Sequence, residues 1–597
     1  MSKPLPKRPT LGANVLLLLV VAFIVVALNT RFWGIVFDSP GLAGLHGSGV
    51  IAAVAAALFA LTLLMVLPLS LRWTFKPGLT LVLILAAGAA YFIGDYGAVI
   101  DRHALASVYE TDAREAGEWL NLRMLLSIGA LGLLPAGFVW WTQVDRRTPI
   151  GEIFSRLKLA LLAFALLGVA ALGFGKDVTS LLRNHMELRH IANPFALLAA
   201  NLSYLDHARN DNRPLAKVGL DARRGAALPP GDRPLVLVLA IGESMRAASL
   251  DLNGYARDTD FDLHPLPVVN FGKVSSCGTN TATSLPCMFS DLGRRGYDDA
   301  TAKHRENVLD VLVRGGYDVL WLDNNTGSKG LAARVREARA SAQDNPALCN
   351  AEGCYDQVLV EMLRETLPTI RRDTVIVVHL LGSHGPAYYA RYPQEFAVFQ
   401  PECRTNELQS CSDAQLRNTY DNTVLYTTHI LAEIASLLGE KRALANRLAP
   451  EDMKCQILHM HGVLGSTQKC PVPADMPVPA AAAAAVAFDA AMLFVSDHGE
   501  SLGEHGLYLH GAPYAIAPDE QTHVPMLLWA SQRYSTRRDI DLGCVRDRAD
   551  APLSHDNFFH SVLGLADVRT DAHRPALDLF AACRKTHAAA RIVATGG

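Results

Sequence analysis

The sequence has 597 residues, of which 50% are hydrophobic and 19% charged, and its formal net charge is −3 at pH 7. A chain of this length has room for two or more domains. Its apolar excess is high for a soluble protein and indicates a membrane part. The absence of a basic excess argues against a nucleic-acid partner.

Five charge-free apolar runs lie in the first 175 residues, and we interpret them as transmembrane helices. Most can cross a hydrocarbon layer of about 30 Å at about 1.5 Å per residue. The first run follows basic residues, as a signal peptide does, but it is long and no small-x-small cleavage site follows it. We therefore expect it to be retained. The runs lie near 11–29, 50–71, 78–94, 124–142 and 159–174.

The distribution of basic residues predicts the orientation of the spans. Lysine and arginine precede the first run and fill the second and fourth connections, which therefore belong on the cytoplasmic side. The third connection is acidic and should face outward. With the N-terminus inside, five spans place everything after about residue 176 outside, which predicts a bacterial inner-membrane protein with a periplasmic domain.

All ten cysteines lie at or after position 277, in the part predicted to be exported. An even number confined to that part suggests disulfides in an oxidising compartment rather than metal ligation, since no paired C-x-x-C spacing occurs. Close spacing favours four pairs and elimination leaves the last: Cys277–Cys287, Cys349–Cys354, Cys403–Cys411, Cys455–Cys470 and Cys544–Cys583.

The chain divides by composition into three parts. Residues 1–175 form the predicted five-helix membrane domain, and the polar stretch 176–233 is interpreted as an interfacial helix and linker. From 234 to 597, short β-branched runs alternate with helix-like stretches, which predicts an α/β domain with a largely parallel sheet. The segment 450–487 resembles an insertion. Its His459-Met460-His461 could bind metal, although a solvated loop is the simpler interpretation.

Polar motifs follow several predicted strands. Glu243 follows the first, Asp497 and His498 follow a later one, and His384 and His510 lie in His-Gly stretches. Ligands gather beyond the carboxyl ends of parallel strands, and oxygen with imidazole ligands suits zinc. We expect Gly499 to permit a sharp turn after the strand. Singly, each motif is more often a helix cap or a loop histidine than a functional residue, but their joint placement at several strand ends favours a functional site.

The stretch from Cys277 to Cys287 contains four hydroxyl residues between two cysteines. It is too polar to predict a core element, so we expect a small rigid loop closed by a disulfide. A hydroxyl held beside a metal is a nucleophile. Spacing alone does not identify which of Thr279, Thr281 and Thr283 would be the nucleophile. The alternative is that all three have a structural role in a hydrogen-bonded turn.

Together these motifs resemble the phosphoethanolamine transferases of the lipid A-modifying type, which include the mobile colistin-resistance enzymes. The resemblance rests on Gly242-Glu243-Ser244, the 276–290 stretch, Asp323-Asn324-Asn325, Gly385-Pro386-Ala387-Tyr388 and Ser496 through Glu504. It covers nearly the whole chain, including the five spans.

The resemblance implies an alkaline-phosphatase/sulfatase-like domain with a zinc site of one tightly held ion and room for a second. It implies that Thr281 is the nucleophile. The residues it assigns to zinc are Glu243, Thr281, Asp497 and His498; to the transferred group, His384 and His510; and to substrate, Thr111, Glu115, Asn325, Lys329 and Glu500. The family often has asparagine where this chain has Ser107.

The function implied is transfer of phosphoethanolamine from phosphatidylethanolamine to a lipid A phosphate through a covalent intermediate on Thr281. The bilayer is a partner, and a monomer is expected. The added amine would weaken binding of polymyxin and other cationic peptides. Alternatives are transfer to core sugars or a glucan, a membrane-anchored phosphatase or sulfatase, and a non-enzymatic scaffold. Sulfatases carry arginine where this chain has Met288.

Overall fold

The protein is described by a computed structural model over residues 8–39, 42, 44–110, 113–145, 148–209, 213–225, 233–341, 343, 345–350, 353–439 and 488–584. The chain divides into two compact units. The first comprises Met1–Val108, Leu120–Asp206 and His505–Leu507. The second comprises Tyr109–Trp119, His207–Glu504 and Tyr508–Gly597.

The first unit contains the apolar helices. Four are long and apolar enough to cross a membrane, namely Gly44–Ser70, Phe75–Asp95, Leu122–Trp141 and Ile150–Asn184. The helices Ala13–Ala27 and Thr30–Asp38 meet at 58° and make a fifth candidate if they count as one span. The prediction of N-terminal membrane helices is therefore confirmed, with four or five candidate spans. Shorter helices follow at Leu188–Ile191 and Phe195–Arg209.

Apolar packing and two buried asparagines hold the first unit together. Leu16 and Val21 are fully buried, whereas Leu172 is 92% exposed, as suits a side chain facing lipid. Asn29 donates to the carbonyl of Asn193 (2.9 Å), and the Asn193 N–H donates to Asn29 Oδ1 (2.8 Å). These reciprocal bonds satisfy polar groups that burial would otherwise penalise.

An eight-stranded sheet forms the centre of the second unit. In chain order its strands are β1 Leu235–Gly242, β2 Val269–Ser275, β3 Asp318–Asp323, β4 Arg336–Arg339, β5 Thr374–His379, β6 Asp489–Ser496, β7 His523–Ala530 and β8 Leu553–Ser554. Their order in the sheet is β8-β2-β7-β6-β1-β5-β3-β4. Only β7 runs antiparallel to its neighbours, so the predicted, largely parallel sheet is confirmed.

Strand β1 is buried along its whole length. Its alternate residues, from Leu235 to Ile241, pack in one apolar cluster with helices Val308–Arg314 and Asp556–Ala566. Because side chains alternate across a strand, the remaining residues face the opposite side of the sheet. The second unit also has helices at Ala113–Trp119, Thr281–Met288, Gln357–Thr366, Asp413–Leu437, Gln532–Arg537 and Leu542–Asp547.

The register brings four strand ends to one edge of the sheet. Gly242 of β1 pairs with Ser496 of β6, His379 of β5 pairs with Ile241 of β1, and Asp323 of β3 pairs with His379. The residues that follow these strands therefore lie close together at this edge of the sheet. That edge is the crevice where ligands bind in parallel α/β sheets.

The second unit contains four disulfides among its described residues. They join Cys277 to Cys287, Cys349 to Cys354, Cys403 to Cys411, and Cys544 to Cys583. Cys455, Cys470, the 450–487 insertion and its two histidines lie outside the described residues.

Candidate active site and metal centre

Glu243 directly follows β1 and lies in the crevice at the strand ends. Its carboxylate is fully buried, and Oε2 accepts hydrogen bonds from Asn325 Nδ2 (2.8 Å) and Thr281 Oγ1 (3.0 Å). Ser244 donates to the other oxygen (2.8 Å) and holds a left-handed φ of 56°. This strained conformation turns the chain sharply after the strand, so that Glu243 points into the crevice.

Thr281 is the first residue of a helix, not part of the loop that its polar sequence predicts. The helix Thr281–Met288 begins after Asn280, whose side chain accepts from the N–H of Thr283 (3.0 Å). Hydroxyl and amide side chains are frequent in turns, but an asparagine in extended conformation is equally a helix cap. The loop prediction was wrong because the cap and burial within the domain outweigh local composition.

The hydroxyl of Thr281 faces the other crevice residues. It donates to Glu243 Oε2 and lies 3.3 Å from His498 Nε2. The N-terminus of a helix carries partial positive charge, which favours negative charge on a nucleophile or a bound phosphoryl group. Thr279 is placed differently, because its hydroxyl donates to the carbonyl of Ala512 (2.6 Å).

Glu243, Asp497 and His498 form a fully buried cluster whose ligand atoms all lie within 4.8 Å of one another. His498 Nδ1 lies 2.9 Å from the carbonyl of Gly499, which only an N–H can satisfy. His498 Nε2 therefore faces the carboxylates, at 3.2 Å from Glu243 and 3.5 Å from Asp497. A carbonyl that fixes the tautomer in this way is typical of metal-binding histidines.

The two buried carboxylates of this cluster favour a positive charge between them. Burial and the neighbouring carboxylate of Glu243 raise the pKa of Asp497 to about 6. Burial alone would lower the pKa of His498, but Asp497 and Glu243 outweigh it and raise that pKa to about 10. Burial likewise opposes ionisation of Glu243, yet His498 holds the Glu243 pKa well below its usual value. Two buried carboxylates thus compete for one cation.

The donor set fits a divalent metal ion. Asp497 Oδ2 is buried and accepts no hydrogen bond from the described residues. Buried carboxylate oxygens normally accept a hydrogen bond, so an oxygen whose contact with His498 Nε2 is as long as 3.5 Å is placed to bind a metal ion. Two carboxylates, an imidazole nitrogen and an adjacent hydroxyl are ligands that zinc accepts.

Gly499 has a different role from the one its sequence position predicts. Its φ is not in the left-handed region. A Cβ on Gly499 would instead lie 2.1 Å from the carbonyl oxygen of Glu520, and the Gly499 N–H donates to Gln521 (3.0 Å). Glycine is required here because another backbone approaches closely, which holds the chain after Asp497 and His498 in place.

A second group lies beside the first. Ligand atoms of His498, Glu500 and His510 are also within 4.8 Å of one another. The His510 ring lies 4.4 Å from that of His498 and 5.9 Å from that of His384, measured between centroids. His384 is 6% exposed, and His384 and His510 both interact electrostatically with the Glu243 carboxylate, so both histidines lie near the first cluster.

Glu500 is placed as a support for His510. It is fully buried, its Oε2 lies 2.8 Å from His510 Nδ1, and its Oε1 accepts from the hydroxyl of Tyr388. This contact leaves His510 Nε2 as the ring nitrogen for chemistry. Burial and the charge of Glu500 raise the pKa of Tyr388 well above its usual value, so the phenol stays a donor.

The remaining predicted residues are placed unevenly. Asn325 is buried against Glu243 and also donates to the carbonyl of Leu380 (2.9 Å). Lys329 is half-buried in a left-handed conformation (φ 49°), four residues beyond Asn325. Thr111 lies outside the described residues. Glu115 belongs to the helix Ala113–Trp119, and its side chain is not described.

Several supporting residues were missed by sequence reasoning. Buried His379 contacts Asp323 (2.7 Å) and lies near Asn325 (3.4 Å). Asp356 is fully buried and accepts from the N–H groups of Leu381 and Gly382, both at 2.9 Å. Asp356 precedes a helix and therefore resembles an ordinary cap, although its side chain caps nothing. His379 ends a buried strand, which is the one available signal.

Comparison with known proteins agrees with this architecture. A family model described as phosphoethanolamine transferase EptA/EptB matches residues 58–209, and one described as sulfatase matches residues 236–448 and 480–568. Phosphoethanolamine transferase EptA of Escherichia coli K12 is 37% identical over 588 residues, covering 98% of this chain and all of the relative.

Two further proteins extend the likeness. Phosphatidylethanolamine transferase Mcr-1 of Escherichia coli is 34% identical over 579 residues, covering 94% of this chain and 96% of the relative. The solved integral membrane lipooligosaccharide phosphoethanolamine transferase A of Neisseria meningitidis superposes with a TM-score of 0.85 at 32% identity. That match covers 96% of this chain and 100% of the solved one.

Proposed function

Because the chain belongs to the EptA/EptB family of phosphoethanolamine transferases, we propose that it moves phosphoethanolamine from phosphatidylethanolamine to a phosphate of lipid A. The observation that carries the proposal is the Thr281 hydroxyl, held at a helix N-terminus between Glu243 and His498. The name of Mcr-1 specifies phosphatidylethanolamine, and the name of the Neisseria relative specifies lipooligosaccharide. The identity to both supports this donor and this class of acceptor.

In the first step, Thr281 Oγ1 attacks phosphorus and the bond to the diacylglycerol oxygen breaks. Glu243 Oε2, which accepts the hydrogen bond of the hydroxyl, is placed to take its proton. His384 or His510 protonates the leaving oxygen, since histidine exchanges protons near neutral pH. Phosphoethanolamine remains bonded to Thr281.

In the second step, a phosphate oxygen of lipid A attacks the same phosphorus and Thr281 leaves with a proton. Asn325 stays hydrogen-bonded to Glu243 and keeps that carboxylate oriented through both steps. The product carries an added amine beside its phosphate. This amine reduces the net negative charge that polymyxin and cationic peptides recognise, so the reaction protects the cell.

Zinc is the metal we propose for the cluster of Glu243, Asp497 and His498, with Thr281 as the fourth ligand. The unsatisfied Asp497 oxygen and the two competing carboxylates support it. Bound there, zinc lowers the pKa of a hydroxyl and stabilises negative charge on phosphoryl oxygens. We further propose that the enzyme is a monomer in the bacterial inner membrane with its second unit in the periplasm.

A different acceptor is the second candidate. Kdo(2)-lipid A phosphoethanolamine 7''-transferase of Salmonella typhimurium is 26% identical over 551 residues, and its name specifies a distinct acceptor. The higher identity, 32%, to the lipooligosaccharide phosphoethanolamine transferase A of Neisseria meningitidis favours the first candidate. Mass spectrometry of lipid A and core sugars from expressing cells distinguishes the two.

Replacement of Thr281 tests the proposed nucleophile. We expect Thr281→Ala to abolish transfer, with a loss of about 10³-fold or more, because it removes the hydroxyl that contacts both Glu243 and His498. Thr281→Ser retains the hydroxyl and should retain part of the activity. The measurements are the intact mass of the protein after incubation with phosphatidylethanolamine and the mass of lipid A from expressing cells.

Thr283→Ala is the matched control, since Thr283 lies on the same helix. This variant should form the adduct on Thr281 as the wild type does. Normal lipid A modification by Thr281→Ala would overturn the assignment of the nucleophile.

Metal analysis tests the zinc proposal independently of activity. We expect the purified wild type to contain about one zinc per chain, and Asp497→Asn to lose most of it because one of the few ligands is gone. Asp421→Asn is the matched control: Asp421 is also buried, but it contacts Tyr255 and Arg257 outside the cluster. Equal zinc content in wild type and Asp497→Asn contradicts the proposed site.

A further inference from the structure

The short segment Tyr109–Trp119 precedes the apolar helix that begins at Leu122, yet it belongs to the second unit. Its described residue Glu118 is only 7% exposed. The carbonyl of Glu118 accepts from Asn406 Nδ2 (2.6 Å), and its carboxylate accepts from the Nη2 group of Arg391. An exposed acidic loop would not bury a carboxylate in this way.

Arg391 contacts the loop that carries His384. Its Nε donates to the carbonyl of His384 (2.7 Å), while its backbone N–H donates to Tyr388 (3.0 Å). The side chains of Arg391 and Glu118 are 2% and 6% exposed. One guanidinium therefore joins Glu118 on one side to the backbone of His384 on the other.

The same loop is fixed at further points. At its start, the N–H groups of Leu381 and Gly382 donate to Asp356. Within it, the hydroxyl of Tyr388 donates to Glu500, which contacts His510. With Asp356 holding one end and Arg391 the other, a displacement of Glu118 is transmitted to the backbone of His384.

The chemistry of the pair requires arginine. A planar guanidinium donates in two fixed directions at once, whereas lysine is a single point charge on a flexible stem. A buried ion pair contributes little net stability, but removal of one partner leaves an uncompensated charge. Such a pair is therefore better suited to fixing a geometry than to stabilising a fold.

We propose that Arg391 is a positioning residue that couples the segment Tyr109–Trp119 to His384. The inference rests on the proposed function, in which His384 serves the transferred group, and on the family resemblance, which assigns Thr111 and Glu115 of this segment to substrate. Glu118 and the backbone of His384 are thereby held at a constant separation. The pair thus sets which donor lipids are oriented for attack by Thr281.

Hydrogen–deuterium exchange of the full-length protein tests the coupling without reference to activity. In Glu118→Ala, we expect amides of the loop from Leu381 to Arg391 to exchange about tenfold faster than in wild type, since local stability sets these rates. Arg391→Lys should have the same effect. Arg334→Lys is the matched control, because Arg334 makes a two-bond pair with Asp310 away from this loop.

Kinetics test the functional half. We expect Glu118→Ala and Arg391→Lys each to lower kcat/KM for phosphatidylethanolamine by about tenfold, since small misplacements of reacting groups are costly. The double variant should be no worse than the poorer single variant, because both break one interaction. Discrimination against N-methylated phosphatidylethanolamine should also weaken, which a loss of folded protein alone does not cause.

Unchanged exchange of the Leu381–Arg391 loop in Glu118→Ala overturns the coupling, as do strictly additive kinetic losses with unaltered donor discrimination. If wild type forms no adduct on Thr281, the proposed function fails, and the exchange measurement still decides whether Arg391 couples the two segments.

Discussion

At the scale of single residues, His555 shows how a buried group outside the reaction holds the site together. Its Nε2 lies 3.0 Å from the carbonyl of Ser496, and its Nδ1 lies 3.1 Å from the N–H of Cys277. Nε2 is therefore the protonated nitrogen and Nδ1 the acceptor. One neutral imidazole thus ties the strand end before Asp497 to the chain that leads into the Thr281 helix.

The neutral state of His555 predicts a loss of stability in acid. Burial lowers its pKa to about 3, from an ordinary value of about 6.5 in the unfolded chain. The unfolded state binds a proton first as pH falls, so the stabilising contribution is complete above about 6.5 and declines toward about 3. The expected slope is about 1.4 kcal/mol per pH unit within that window.

The measurement is the thermal unfolding midpoint of purified protein from pH 4 to 7 (about the range in which the linkage acts). His555→Gln should unfold at a lower temperature at neutral pH and show a shallower decline toward acid. His523→Gln serves as the control, since His523 contacts a carbonyl from a half-buried position. An unchanged pH dependence in His555→Gln contradicts the neutral, buried assignment.

Residue placement was predictable only where it follows from strand order. Glu243 and Asp497 come directly after hydrophobic runs, so parallel pairing alone delivers them to one edge. Arg391 and His555 act on partners more than 100 residues away in sequence, Glu118 and Cys277 respectively. No local pattern marks such contacts, because they depend on how loops pack after the sheet has formed.

At the scale of elements, the Thr281 helix is held at both ends by its own sequence. Asn280 caps its start, and the disulfide joins Cys277, three residues before the cap, to Cys287 in its last turn. Sequence predicted the disulfide from spacing but not the helix. A stretch of eight residues with an internal proline has too little helical propensity for its structure to be read without its packing.

Removal of disulfides should separate stability from activity. The chain-entropy model gives about 2.7 kcal/mol for the ten-residue separation of Cys277 and Cys287, and about 3.9 kcal/mol for the 39-residue separation of Cys544 and Cys583. We expect Cys277→Ala/Cys287→Ala to be the less destabilised pair, yet to lose more transfer activity because Thr281 loosens.

Thermal unfolding and adduct formation on Thr281, measured below the unfolding range of both variants, provide the comparison. Cys544→Ala/Cys583→Ala is the matched control, because it removes a disulfide that is distant in sequence from Thr281. Equal residual activities in the two variants would show that the bridge beside Thr281 has no role in positioning.

At the scale of the whole molecule, hydropathy predicted the existence of the membrane helices better than their length. The last apolar run covers 159–174, whereas its helix extends over Pro149–Asn184. Hydropathy reports composition, while a helix continues as long as its backbone hydrogen bonds do. The antiparallel β7 was also not predictable, since direction depends on the path of the connections and not on the strand sequence.

The extent of the second unit predicts which fragment folds alone. Residues 216–225 contact the rest of the second unit. Ala216 forms hydrogen bonds with the backbone of His304 and Glu306, and the Val218 N–H donates to the Glu306 carboxylate (3.0 Å). Arg224 pairs with Asp373, which is 8% exposed. A fragment that begins at 213 keeps these contacts, and one that begins at 233 leaves two mostly buried carboxylates with fewer partners.

We therefore expect the fragment 213–597 to unfold about 4–6 °C higher than 233–597, because loss of partners for buried carboxylates costs about 3–5 kcal/mol. Differential scanning calorimetry of both fragments gives the comparison. Arg224→Gln in the longer fragment should account for part of the difference, while Arg364→Gln, which removes an exposed pair with Glu361, should leave the midpoint unchanged. Equal midpoints for the two fragments would place the boundary of the folding unit at 233, and the contacts of residues 216–225 would then be incidental to its stability.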